Sequence, residues 1–206
     1  MPGGRSNAYK LSKYLVMPNM RKSQWSNIRK RLLLLDQSEL IAEIKDLYVI
    51  SDENRRFLEA RFLQVQDQVE AVLADYKQEI IYCFFGERGI SDDLPKLRDA
   101  RGLIRDYWKA TKDSSGTLDL MLHYVETSTE FTNTYGDINE PFYNSLESVL
   151  NDFCEGIFKS SDPEQSYGQF NKRLVALKKA VYGIGWGYGD TVQEIIDDLE
   201  SRFEER

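Results

Sequence analysis

The segment "LMLHYVETSTEF" carries His123, Glu126 and Glu130 at i, i+3 and i+7. On a helix that spacing sets one imidazole and two carboxylates on a single face, a conceivable ligand set for one metal ion and the basis of a metal-dependent enzyme. His123 is the only histidine, so any imidazole base or nucleophilic triad must use it. Two facts weigh against the reading. The Glu-x-x-His pairs of di-iron bundles are not duplicated, and three acceptors on one face are ordinary in an acidic protein, where solvation or hydrogen bonding accounts for them. A Cys–His pair needs Cys83 of "IIYCFFG" or Cys154 of "LNDFCEGIF", and apolar surroundings disfavour a thiolate. Asp92-Asp93 and Asp197-Asp198 are adjacent pairs, which on a helix do not converge on one substrate. No residue set therefore calls for a metal or cofactor.

A second chemical candidate is "AVYGIGWGYGDTVQEI", with Gly183, Gly185, Gly187 and Gly189 at alternate positions before a helix. Phosphate cradles are built on other spacings, G-x-G-x-x-G or a P-loop closing on Gly-Lys-Ser/Thr. Here no lysine follows. Asp190 falls where an N-cap belongs, with Gln193 three residues on, so a carboxylate is expected to occupy the place an anion would take. The glycines are expected to end one helix and start the next. Trp186 and Tyr188 remain candidates for an exposed aromatic binding patch.

The third candidate is basic. Residues 1–35 hold eight Lys or Arg and no acid, which leaves 19 basic and 34 acidic residues in the rest of a chain whose net charge is -7. Within "RKSQWSNIRKR", Trp25 lies among Arg21, Lys22, Arg29, Lys30 and Arg31, a mixture able to hold phosphates and stack a base. No nucleic-acid module frames it. The alternative is a helix whose Trp25 and Ile28 face a core while its cations face water.

The elements that must position these residues read as helices almost throughout. A possible extended piece at Tyr9–Val16 is the exception. Asp36 and Glu39 form a capping box before "LIAEIKDLYVI", and Ser51 caps "DENRRFLEARFL". Pro95 suits the first turn of "PKLRDARGLIRDYWKAT", where Leu97, Ala100, Ile104, Tyr107 and Ala110 recur at three and four residues. Phe142, Leu146, Val149, Phe153 and Ile157 form another stripe. Tyr167, Phe170, Leu174, Leu177 and Val181 repeat at the spacing of a coiled-coil seam, though so short a run more often packs inside a bundle. Val192, Ile195, Leu199 and Phe203 close the chain. Tyr135-Gly136-Asp137 and Tyr188-Gly189-Asp190 hint at a repeat, but one pair does not make a solenoid.

Three stretches, "LIAEIKDLYVISDENRRFLEARF", "LPKLRDARGLIRDYWKAT" and "LMLHYVETSTEFTNTYGDINEPFYNSLESVL", resemble a family of small bacterial helical proteins known as a domain of unknown function. The resemblance covers about residues 36–158. It implies an all-helical fold in a bacterial cytoplasm and carries no catalytic residues.

The expectation is an all-α protein: a flexible basic arm over residues 1–20, then a single compact domain over 21–206, a bundle of about seven to nine helices or stacked helical hairpins. No run reaches the length of a membrane span, and the two separated cysteines suit a cytoplasmic thiol state. The leading functional expectation is a non-enzymatic interaction module that binds another protein or itself. Nucleic-acid binding through the basic arm and a metal-dependent enzyme at His123, Glu126 and Glu130 are the alternatives.

Overall fold

The computed structural model describes residues 18–63, 66–87 and 94–204, and the side chains of 24–63, 70–87 and 94–204. The extended piece expected at Tyr9–Val16 and the pair Asp92-Asp93 lie outside the described residues. Among those described are nine helices and no strand: α1 (Pro18–Leu32), α2 (Gln37–Ile50), α3 (Asp52–Phe62), α4 (Gln66–Phe85), α5 (Leu97–Thr111), α6 (Ser114–Tyr135), α7 (Glu140–Phe158), α8 (Pro163–Ala180) and α9 (Tyr188–Glu204). The protein is all-α, as its periodicity predicts.

The chain divides into two units, with the boundary between Arg55 and Arg56 inside α3. In the first, α2 starts on the expected capping box: Asp36 Oδ1 accepts the Glu39 N–H at 2.9 Å while Glu39 Oε2 accepts the Asp36 N–H at 2.8 Å. Ser51 Oγ then accepts the Asn54 N–H at 3.1 Å and opens α3. The start of each helix is thus a matter of local sequence, since side chains nearby satisfy its orphan donors. Among the described residues this unit has little core of its own, for no residue of α2 is buried.

The second unit is built around α6, which packs against α4, α5, α7 and α8. Its Leu120, Leu122, Tyr124 and Val125 are fully buried. They meet Tyr76, Ile80 and Phe84 of α4, Ala100, Ile104 and Tyr107 of α5, and Leu146, Leu150 and Phe153 of α7 within one apolar cluster. Burying each Val, Leu, Ile or Phe among them contributes roughly 1.5–3 kcal/mol, which is why the stripes legible in the sequence become the interior. The seam of α8 lies inside the bundle: Phe170, Leu174, Leu177 and Val181 are buried, and Tyr167 stacks on Phe203 of α9 with ring centroids 4.7 Å apart.

Three local expectations are corrected. Pro95 stands two residues before α5, which begins at Leu97; the Lys96 N–H reaches back to the Cys83 carbonyl at 2.9 Å. Asp190 lies in the first turn of α9 rather than at its cap, because the helix begins at Tyr188. The two Tyr-Gly-Asp triplets are not equivalent: Gly136 ends α6 at φ 89°, whereas Gly189 lies within α9, where an added Cβ would sit 2.7 Å from the Val181 carbonyl oxygen. One glycine answers to conformation, the other to space.

Candidate functional site

The α6 face named by its chemistry is occupied by an ion-pair network. His123 lies half-buried with Nε2 3.2 Å from the Lys77 carbonyl oxygen of α4 and 3.5 Å from Thr127 Oγ1. A carbonyl only accepts, so Nε2 carries the proton. Burial lowers the His123 pKa below its ordinary value. Glu126 is gripped bidentately by Arg173 of α8, Nε to Oε1 at 2.8 Å and Nη2 to Oε2 at 2.6 Å. Arg173 Nη1 also donates to Asp119 Oδ1, and Lys77 Nζ donates to Asp119 Oδ2 at 2.8 Å. Burial alone would raise the Asp119 pKa, but the bonds from Lys77 and Arg173 outweigh it and hold the carboxyl below the ordinary range.

This arrangement ties α4, α6 and α8 together and does not assemble a metal centre. His123 faces a carbonyl, Glu126 a guanidinium, and Glu130 is exposed. Among the described residues no group of three His, Cys, Asp or Glu is placed to hold a metal ion. Three members of the network, Asp119, Lys77 and Arg173, are not singled out by any sequence motif. Asp119 is within reach of one, lying four residues before His123 on the same face. Lys77 and Arg173 carry no short-range signal, since they arrive from other helices. Beside the network a groove of about 330 Å³ opens between α6 and α8, with Glu126, Thr129, Glu130, Asn133, Leu177 and Ala180 in its lining. Two of the lining side chains already have partners: Asn133 Nδ2 donates to the Ala180 carbonyl at 2.9 Å, and Thr129 Oγ1 lies 3.0 Å from the Tyr188 hydroxyl.

The glycine segment does receive an anion, from within the chain. The Gly185 N–H donates to Asp137 Oδ1 at 3.2 Å, so the carboxylate in this loop belongs to Asp137, not Asp190. Gly183 and Gly187 have φ of 83° and 72°, and between them Trp186 adopts φ 60°, a conformation that bulky side chains rarely take. The expected aromatic patch is only half present. Trp186 is 60% exposed, but Tyr188 is fully buried, its ring 5.0 Å from that of Tyr143.

Both thiols are free. Burial pushes Cys83 up to about 11 and Cys154 up to about 12, so neither is a nucleophile near neutral pH. Asp197 pairs with Lys178 and Asp198 with Arg202, so that adjacent pair faces two partners rather than one substrate.

Most of the exposed large apolar side chains among the described residues lie in the first unit. Trp25 and Ile28, the residues that would face a core were α1 an ordinary buried helix, are 59% and 51% exposed, and Arg29, Lys30 and Arg31 are exposed beside them. The side chains of Arg21 and Lys22 lie outside the described residues. On α2, Ile41, Ile44, Leu47, Val49 and Ile50 are all exposed, from 46% at Ile44 to 77% at Ile50. Leu33 and Leu34, between the helices, are exposed as well.

No helix among the described residues is long and apolar enough to cross a membrane. The chain matches no family model, no curated protein and no solved structure.

Proposed function

We propose that the protein is a non-enzymatic helical interaction module, acting in a reducing cytoplasm, whose N-terminal helices bind protein. The observation that carries this reading is the exposed apolar surface of α2. A 14-residue helix is marginal by itself in water and draws its stability from packing an apolar face. Here the capping box fixes where the helix begins, yet Ile41, Ile44, Leu47 and Ile50 are left facing solvent. Covering each such side chain is worth roughly 1.5–3 kcal/mol, which a partner supplies. The second unit, with its own complete core, serves as the stable body of the module.

The test uses the full chain as bait, wild type against Ile44→Asp/Leu47→Asp. The wild type is expected to retain a protein, its own copies included, that the double variant loses. Identical retention by the two baits sinks the reading.

A second reading, nucleic-acid binding, gains from the exposure of Trp25 beside Arg29, Lys30 and Arg31. Such binding must weaken steeply with salt. No complex with single-stranded or duplex DNA or RNA at about 50 mM salt disposes of it.

A further inference from the structure

Within the reading just given, and resting on it, we infer that the occupant of the N-terminal apolar surface is a second copy of this chain: α1 of one copy packs on α2 of the other, and α2 of the first on α1 of the second.

Area supports a protein partner of ordinary interface size. The exposed parts of Trp25, Ile28, Ile41, Ile44 and Leu47 come to roughly 500 Å², against roughly 800 Å² per partner in a standard interface, of which a little over half is apolar. That matches the apolar share of one dimer contact without help from the second unit.

Charge supports the exchanged pairing. Helix α1 contains no acidic residue and ends on Arg29, Lys30 and Arg31. Helix α2 contains Glu39, Glu43 and Asp46 against Lys45 alone. Packing α1 on α1 or α2 on α2 would bring like charges together, whereas α1 on α2 brings opposite ones. In a two-fold dimer every contact occurs twice with the roles reversed, so a surface made of one basic-apolar helix and one acidic-apolar helix complements a rotated copy of itself.

The helical spacing agrees with this pairing, with Leu32 and Leu40 half-buried and the other stripe residues exposed. On α1, Trp25, Ile28 and Leu32 stand at i, i+3 and i+7, flanked by Arg29 and Arg31. On α2, Leu40, Ile44 and Leu47 form the matching stripe, with Ile41 beside it and Glu43 on its flank. Long cationic side chains flanking one stripe can reach carboxylates flanking the other while the apolar rows meet between them.

The measurement is sedimentation equilibrium of the full chain at about 50 mM salt, where the screening length is about 14 Å and charge contributes most. The expected result is a species of twice the 24.0 kDa chain mass. Ile44→Asp/Leu47→Asp is expected to return the chain to monomer. Two charge variants test the pairing and alter only exposed residues: Arg29→Glu/Arg31→Glu and Glu43→Lys/Asp46→Lys. Each alone is expected to weaken self-association at least tenfold, and an equimolar mixture to form a heterodimer. Far-UV circular dichroism confirms that every variant remains folded. A wild-type monomer throughout a range up to about 100 µM overturns the inference, since that concentration exceeds the dissociation constants of specific dimers of this size. It leaves the bait comparison to decide the broader reading. A dimer indifferent to the α2 substitutions, or charge variants whose mixture stays monomeric, overturns it as well.

Discussion

Asp137 Oδ1 accepts the backbone N–H of Gly185 at 3.2 Å, joining the turn after α6 to the loop before α9. The same oxygen accepts the Tyr143 hydroxyl at 2.9 Å. That hydroxyl lies 2.8 Å from Thr132 Oγ1, and Tyr143 stands beside the buried ring of Tyr188. One carboxylate thereby orders the ends of α6 and α9 and the first turn of α7. A side chain at 185 would displace this carboxylate, since an added Cβ would fall 2.5 Å from Asp137 Oδ2.

Asp137→Ala is expected to lower stability by about 1–2 kcal/mol, the usual worth of a charge-assisted bond discounted for the exposure of this carboxylate. Gly185→Ala is expected to cost a similar amount in the wild type and close to nothing in the Asp137→Ala background, because the clash is with the side chain already removed. A double-mutant cycle by urea denaturation reads this coupling directly. Additive losses refute the stated cause.

Arg173 is expected to be the most sensitive charged position in the second unit. Arg173→Met leaves Asp119 and Glu126, with side chains 15% and 30% exposed, facing each other without their shared cation. Removing one member of a buried network costs about 3–5 kcal/mol, and partial exposure reduces this to about 1–3 kcal/mol. Arg173→Lys should recover little, since an ammonium cannot bind Glu126 bidentately and reach Asp119 as well. Thermal unfolding of the three proteins in low and high salt checks it. A lysine variant as stable as the wild type contradicts the geometric account.

His123 gives the protein a pH dependence of defined sign. Its folded pKa is lowered, first by burial and also by the Lys77 and Arg173 charges, with the hydrogen bond to the Lys77 carbonyl and the Glu126 charge opposing. As pH falls through the ordinary value of 6.5, the unfolded chain takes up a proton that the folded chain refuses, so stability declines with falling pH until the lowered folded value is reached. Asp119 adds a second decline. Its folded pKa is also lowered, so its contribution is present above the ordinary value of 3.8 and lost as pH falls through the folded value. His123→Gln keeps a donor for the Lys77 carbonyl and does not titrate. Its melting temperature should therefore change less than that of the wild type between about pH 7 and pH 5, while both fall alike near pH 4. Parallel curves over the upper range exclude His123 as the origin.

Much of this architecture is legible in the residues alone. Periods of three and four mark the interior of α5, α7 and α8 because burial follows the helix repeat, and the Asp36–Glu39 box is visible because capping is local. The Arg173 network is not visible, since its members lie 47 and 54 residues apart and meet only through packing. Nor is the fate of Tyr188. Trp186 and Tyr188 look alike in sequence, but α9 begins at Tyr188, which turns that ring inward and leaves Trp186 on the loop. The exposure of Trp25 and Ile28 is hidden for the opposite reason: an apolar helical stripe announces that it needs a partner without saying where the partner is.

Trp186 offers a case where neighbouring substitutions should have opposite signs. At φ 60° a residue with a Cβ bears a cost of about 1–2 kcal/mol that glycine does not, and a ring 60% exposed offsets little of it through packing. Trp186→Gly is therefore expected to raise stability by about 1 kcal/mol. At Gly187, φ is 72° and no atom lies within 4 Å of an added Cβ, so Gly187→Ala meets no clash and loses only the conformational term, about 1 kcal/mol in the other direction. Urea midpoints at constant m-value separate the two. A Trp186→Gly variant less stable than the wild type would show that the indole makes contacts worth more than the strain it imposes, and would turn the loop from an exposed platform into part of the core.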